Sequence, residues 1–141
     1  MYYLDTSLLV AGLTAERATP AVQAWLVGED PAELAISDWI VTEFSSALAL
    51  KLRTHRIDLA QRAAALALFN RLVADSFVVL PITAVHFHIA ARFADQQALG
   101  LRAGDALHLA TASHHGATVV TLDRRLADAG PQLGIPTLSP L

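Results

Sequence analysis

The stretch ATVVTLDRRLADAG, residues 117–130, decides the fold. Its first half, ATVVTLD, is rich in β-branched and apolar side chains and reads as a short buried strand closed by Asp123. RRLADAG then follows as a short helix. The same arrangement stands at the other end of the chain: YYLD (2–5) reads as a strand closed by Asp5, and TSLLVAGL continues with helical character to Gly12.

Between these two units the same alternation continues. LAIS (34–37) and FVVLPI (77–82) read as further strands, and IPTLSP (135–140) as a last extended piece. TPAVQAWLVGE reads as a helix with Thr19 as N-cap and Pro20 at its first position. Ser37 can cap a helix over roughly 38–55, and Asp58 can cap LAQRAAALALFNRLVADS. Thr83 opens a helix to about Leu99, and GLRAGDALHLATASHHG contains one that stops at Gly116. Strands alternating with helices predict one α/β domain, residues 1–141, around a mainly parallel sheet. No linker, low-complexity tract or internal repeat interrupts it.

Composition narrows the function. Hydrophobic residues make up 54% of the 141 positions and charged residues only 16%, which is rich for a single domain. Apolar surface to spare implies a homo-oligomer or a tightly bound partner. A net charge of -3 gives no bulk basic signal. With no cysteine, a disulfide framework, a thiolate metal site and a cysteine nucleophile are all excluded. There is no basic segment followed by a long apolar stretch at the start, and no run of about 18 apolar residues. The expectation is a cytoplasmic protein with no membrane segment.

Four acids occupy places where a core would prefer an apolar residue. Asp5 and Asp123 each end an apolar strand, and ligands of open parallel sheets bind beyond such ends. Glu43 lies within a helix, on the face of Ile40 and Ala47. Asp105 opens a helix and shares a face with Leu101, Leu109 and Ala112. Each aspartate can also be read as an ordinary helix cap, worth about 1 kcal/mol; Glu43 cannot. If the four converge, two carboxylates about 5 Å apart repel by roughly 3 kcal/mol at an effective dielectric near 20. Protonation or a divalent cation must relieve that. All-oxygen ligands suit Mg²⁺ or Mn²⁺, and the chemistry this suggests is metal-assisted phosphodiester hydrolysis.

Four ordered pieces carry a family resemblance: YYLDTS, the helix with TEFSSAL, LRAGDALHLATA and VVTLDRRL. Across essentially the whole chain the sequence resembles the PIN-domain ribonucleases, and among them the VapC-type toxins of toxin–antitoxin pairs. The resemblance implies a three-layer α/β/α sandwich. It places the family's acidic quartet, catalytic and metal-binding, on Asp5, Glu43, Asp105 and Asp123. Thr121 matches the hydroxyl that helps hold the last acid, and Thr6 or Ser7 the polar residue after the first. It further implies a Mg²⁺- or Mn²⁺-dependent endoribonuclease acting through a metal-activated water, a homodimer, and a cognate VapB-type antitoxin that masks the site.

Other residues have two readings. Lys51 and Arg53 either complement the end of their helix or contact RNA phosphates; Arg124 and Arg125, directly after Asp123, could reach a bound phosphate. The Ala- and Leu-rich helix at 58–75 is apolar around most of its circumference, as a buried helix or a partner groove would be. His86 and His88, two apart, do not form a metal pair. His108, near Asp105, could orient a ligand or substrate. Asp38 and Asp128 read as helix-surface acids, and Trp25 and Trp39 as core or interface anchors. A phosphoaspartyl enzyme of the haloacid-dehalogenase kind would need an acid where Ser7 stands and a lysine near the site, and Lys51 is the only lysine. A PIN-fold binding module without catalysis is the remaining alternative.

Overall fold

The structure, a computed structural model, describes all 141 residues. Five strands form one sheet: β1 (Tyr2–Leu4), β2 (Leu34–Ser37), β3 (Val78–Leu80), β4 (Thr118–Val120) and β5 (Thr137–Leu138). Their order is β3-β2-β1-β4-β5, and every pairing is parallel. β1 is therefore the central strand, with β4 beside it, as the two Asp-terminated units require. All five strands finish on the same edge of the sheet.

Seven helices cover it: α1 (Thr6–Leu13), α2 (Thr19–Gly28), α3 (Asp38–Arg53), α4 (Leu59–Asp75), α5 (Ala84–Ala94), α6 (Ala103–His114) and α7 (Arg124–Gln132). Helices α1 to α4 pack among themselves, and so do α5 to α7. Right-handed crossovers put these two groups on opposite faces, completing the three layers. The core is centred on fully buried Tyr3, Leu4, Leu8, Ile36, Phe44 and Leu109. Phe44 of α3 stacks on Phe69 of α4 with ring centroids 4.2 Å apart, which fixes the outer helix to the inner one.

Several local expectations change. Thr19 does not cap α2, because Ala18 holds that position; its hydroxyl accepts the Glu16 N–H and bonds back to the Ala11 and Thr14 carbonyls. Ser37 stands at the N-cap of α3 without capping it, because its hydroxyl is engaged by Tyr3. Strand β3 stops at Leu80, since Pro81 has no N–H to continue the ladder. The helix after Thr83 ends at Ala94, where the exposed polar run Asp95-Gln96-Gln97 offers no face to bury; a 3-10 turn at Gln97–Leu99 and a left-handed Gly100 follow. Helix α4 is not a buried helix. Only Ala65 and Phe69 are buried on it, and Leu59 and Leu68 face outward. Asp58 does cap it, in a reciprocal box with Gln61.

At the α5–α6 contact three imidazoles cluster. His86 is buried, its ring lying edge-on to His114 at 4.7 Å and 5.8 Å from His115. Its Nδ1 accepts the Thr83 N–H, so that nitrogen carries no hydrogen, and its Nε2 is buried without a partner. Burial first, then the neighbouring charges of His114 and His115, lower its pKa.

Two predictions follow from this packing. A Cβ on Gly130 would collide with the Thr137 methyl and stand 3.0 Å from the Ile135 carbonyl. Gly130→Ala should cost about 2 kcal/mol by overpacking α7 against β5, read by chemical denaturation. His86, with a depressed pKa, contributes its stability in full above the ordinary value of 6.5 and loses it as pH falls through the folded-state value. The stability difference between wild type and His86→Asn should therefore shrink between about pH 7.5 and pH 5.

Candidate metal centre

Strand alternation points Tyr3 and Asp5 to the same side of β1. Asp5 lies just past the carboxyl end of that central strand and is 5% exposed. A buried carboxylate must be hydrogen-bonded, and Asp5 Oδ2 takes three donors: the Ser7 N–H at 3.2 Å, the Ser7 hydroxyl at 2.5 Å and the Thr121 hydroxyl at 2.8 Å. Thr121, just beyond β4, also accepts the Asp123 N–H at 3.0 Å. Its hydroxyl thus grips the first acid while fixing the backbone of the last. Ser7 and Thr6, the two hydroxyls after Asp5, serve different acids: Thr6 donates to Glu43 Oε2 at 2.6 Å.

Glu43 projects from α3 into the same space. His108 of α6 approaches its Oε2 at 2.6 Å through Nε2, and lies 3.6 Å from Asp5 Oδ1. Asp5, Glu43 and His108 each offer one ligand atom within 4.8 Å of the others, a group that can hold a metal ion. Asp105 and Asp123 lie outside this tight group but line the same open cleft, of about 470 Å³. Each also works as a helix-start acceptor, Asp105 for the Arg102 N–H and Asp123 for the Arg125 and Leu126 N–H groups. The cap reading and the cleft reading of these acids hold together.

Burial opposes ionisation of Glu43, but the hydrogen bond and charge of His108, with the Thr6 hydroxyl, outweigh it and hold the carboxyl below its usual range. Burial likewise opposes the His108 imidazolium; the Glu43 hydrogen bond and the charges of Asp5, Glu43 and Asp105 raise its pKa nonetheless.

The basic residues divide. Arg53 lines the cleft, joined by Arg102, a residue the sequence offered no reason to single out. Lys51 instead pairs with Glu16 at 2.5 Å, and Arg124 and Arg125 are exposed beyond the cleft wall. Asp38 and Asp128 are exposed helix residues. Sequence reasoning gave His108 a minor role, passed over Tyr3 and read Ser37 only as a helix cap. The available signal was the two-residue spacing of Tyr3 and Asp5 on one strand face.

An all-parallel α/β sheet with a cleft beyond its strand ends defines a class of proteins that bind their ligands at that edge. Within that class the chain belongs to the PIN domain family, whose model matches residues 2–130. Among curated proteins, none matches the chain in sequence. Solved structures resemble it over nearly its full length. FitAcB from Neisseria gonorrhoeae is 24% identical, covering 99% of this chain and 98% of its own, with a TM-score of 0.75. PAE2754 from Pyrobaculum aerophilum is 26% identical, covering 96% and 89%, at 0.69. VapC20 from Mycobacterium tuberculosis, described as a toxin that cleaves the sarcin–ricin loop, is 18% identical, covering 92% and 95%, at 0.73.

Gly104, in the first turn of α6, sets how closely α3 approaches. A Cβ there would stand 2.8 Å from Glu43 Oε1 and 3.4 Å from Trp39 Nε1. Alanine ordinarily gains up to about 1 kcal/mol over glycine in a helix. Here Gly104→Ala should instead displace Glu43 from His108 and weaken Mn²⁺ binding about tenfold, measured by titration calorimetry.

Proposed function

We propose that this protein is the toxin of a toxin–antitoxin pair: a divalent-metal-dependent endoribonuclease that hydrolyses RNA phosphodiester bonds. Membership of the PIN family supports the nuclease class. The observation that carries the reading is the convergence of Asp5, Glu43 and His108 in a cleft also lined by Asp105 and Asp123. Carboxylate oxygens in that number suit Mg²⁺ or Mn²⁺, held by Asp5, Glu43, Asp105 and Asp123. Such an ion supplies charge neutralisation for the scissile phosphate and activation of a water.

The chain's own residues do the rest. Ser7 and Thr121 hold Asp5, and Thr6 and His108 hold Glu43, so the ligands are oriented in advance. Arg53 and Arg102 are placed to take the RNA backbone, offsetting the acids around them.

The similar structures include FitAB bound to DNA, VapBC bound to DNA from Salmonella typhimurium, and a toxin–antitoxin complex from Klebsiella pneumoniae. That likeness supports an antitoxin partner for this chain, and the family resemblance supports a homodimer. The outward apolar face of α4, with a groove it shares with α1 and α2, is the surface such an antitoxin would cover. No helix is long and apolar enough to cross a membrane. We assign the cytoplasm, where its RNA substrates are found.

Asp5→Asn and Asp105→Asn should each lose RNA cleavage by well over about 100-fold, beyond the usual loss for residues that only support a ligand. Both should remain folded, because like-charge repulsion falls. The assay is cleavage of purified RNA with Mg²⁺, with Mn²⁺ and with EDTA. Cleavage that persists in EDTA would defeat the metal assignment, and wild-type inactivity on every RNA and metal would favour a binding module.

A further inference from the structure

We infer that His108 is a positioning residue: its Nε2–H, set by a buried chain through Tyr3 and Ser37, locks Glu43 in place, and His108 is not itself a ligand of the cation. This rests on the proposed nuclease function. Four elements contribute to the chain. Ser37 ends β2, Tyr3 lies on β1, His108 on α6 and Glu43 on α3. Ser37 Oγ is 2.7 Å from Tyr3 Oη, Tyr3 Oη is 2.9 Å from His108 Nδ1, and His108 Nε2 is 2.6 Å from Glu43 Oε2. Ser37 and Tyr3 are fully buried and His108 is 2% exposed, so water does not compete for these bonds.

The Nε2 hydrogen can be placed by elimination. A carboxylate oxygen has only lone pairs to offer, so a contact of 2.6 Å requires the hydrogen to sit on Nε2. Tyr3 Oη meets Nδ1 on the far side of the ring, donating to it in the neutral imidazole and accepting from it in the imidazolium, and both forms keep the hydrogen on Nε2. Ser37 completes the sequence as the hydroxyl partner of Tyr3. Each polar atom in the chain has a partner of the right kind, a condition that makes a buried network rigid.

The competing role for His108 is direct metal ligation, and the spacing argues against it. Ligation would strip the hydrogen from Nε2 and set two lone pairs against each other at 2.6 Å. Adjacent ligands around an octahedral cation of Mg²⁺ size stand about 3 Å apart, given ligand distances near 2.1 Å. The His108–Glu43 distance is that of a charge-assisted hydrogen bond instead. Glu43 Oε2 is thereby committed to Thr6 and His108, while Oε1 lies over Gly104 on the side of the Trp39 indole.

The test uses the full-length protein with ¹⁵N-labelled imidazoles, metal-free and saturated with Mg²⁺. His108→Gln identifies the His108 signals. A protonated-type Nε2 resonance in both states is expected; an unprotonated or metal-shifted Nε2 with Mg²⁺ bound would overturn the proposal. Tyr3→Phe should move the His108 Nδ1 resonance and lower kcat about tenfold with KM for RNA changed less than about twofold. His108→Leu should lower kcat by about 10–100-fold, and His108→Gln, which keeps an N–H donor, should restore most of it. Wild-type kcat in both Tyr3→Phe and His108→Leu would also sink the inference. If the wild-type protein cleaves no RNA, the nuclease reading fails, yet the Nε2 resonance still decides the role of His108.

Discussion

A carboxylate buried at the end of a central strand survives only with donors to hold it, and Asp5 draws them from near and far along the chain. Ser7 is two residues away and Thr121 is 116 residues away, yet both hydroxyls meet on one oxygen. That meeting requires β1 and β4 to be neighbours in register, which their pairing from Tyr2–Thr118 to Leu4–Val120 provides. The sheet order, the position of α1 directly after Asp5 and the entry of α7 after Asp123 all satisfy the same constraint. The fold can be seen as the set of connections that lets one acid be buried and solvated by protein.

Much of this was legible in the residues themselves. A short apolar run closed by an aspartate and followed by a helix marks a strand end in a parallel sheet, and both copies of that pattern lie side by side in the structure. Glu43 was legible because a charge inside an apolar helix face has no local explanation. His108 was legible only as a residue able to orient a ligand or substrate; its partners were not, because its environment is made by β1, β2 and α3 folding onto it. Arg102 was hidden for a related reason: its place in the cleft depends on the loop that turns into α6. The basic pair at the end of α3 divides in a way the sequence could not show: Arg53 lines the cleft, while Lys51 finds a partner in Glu16, far away in sequence. Helix α4 showed the limit of composition, because an apolar circumference says nothing about which neighbours will be there to cover it.

The cleft also shows how acids can do two things at once. Asp105 and Asp123 each spend an oxygen on the backbone at the start of a helix, which anchors the side chain without neutralising it. Helix N-termini favour nearby negative charge by a few tenths to about 1 kcal/mol, a modest compensation against repulsions of several kcal/mol. The remainder is left to Arg53, Arg102, His108 and whatever cation arrives. An acid cluster held this way is stable enough to fold and unfinished enough to bind.

The placement of the first strand has a consequence for synthesis. β1 leaves the ribosome earliest, but its partner on one side, β4, is the fourth strand to be made. A nascent polypeptide halted before residue 118 would hold three of the five strands, and its Asp5 would lack the Thr121 hydroxyl. Pairings this distant in sequence form late. The acid-lined cleft therefore cannot mature on the ribosome ahead of the segment that completes it, and the order of synthesis sets when Asp5 becomes fully held.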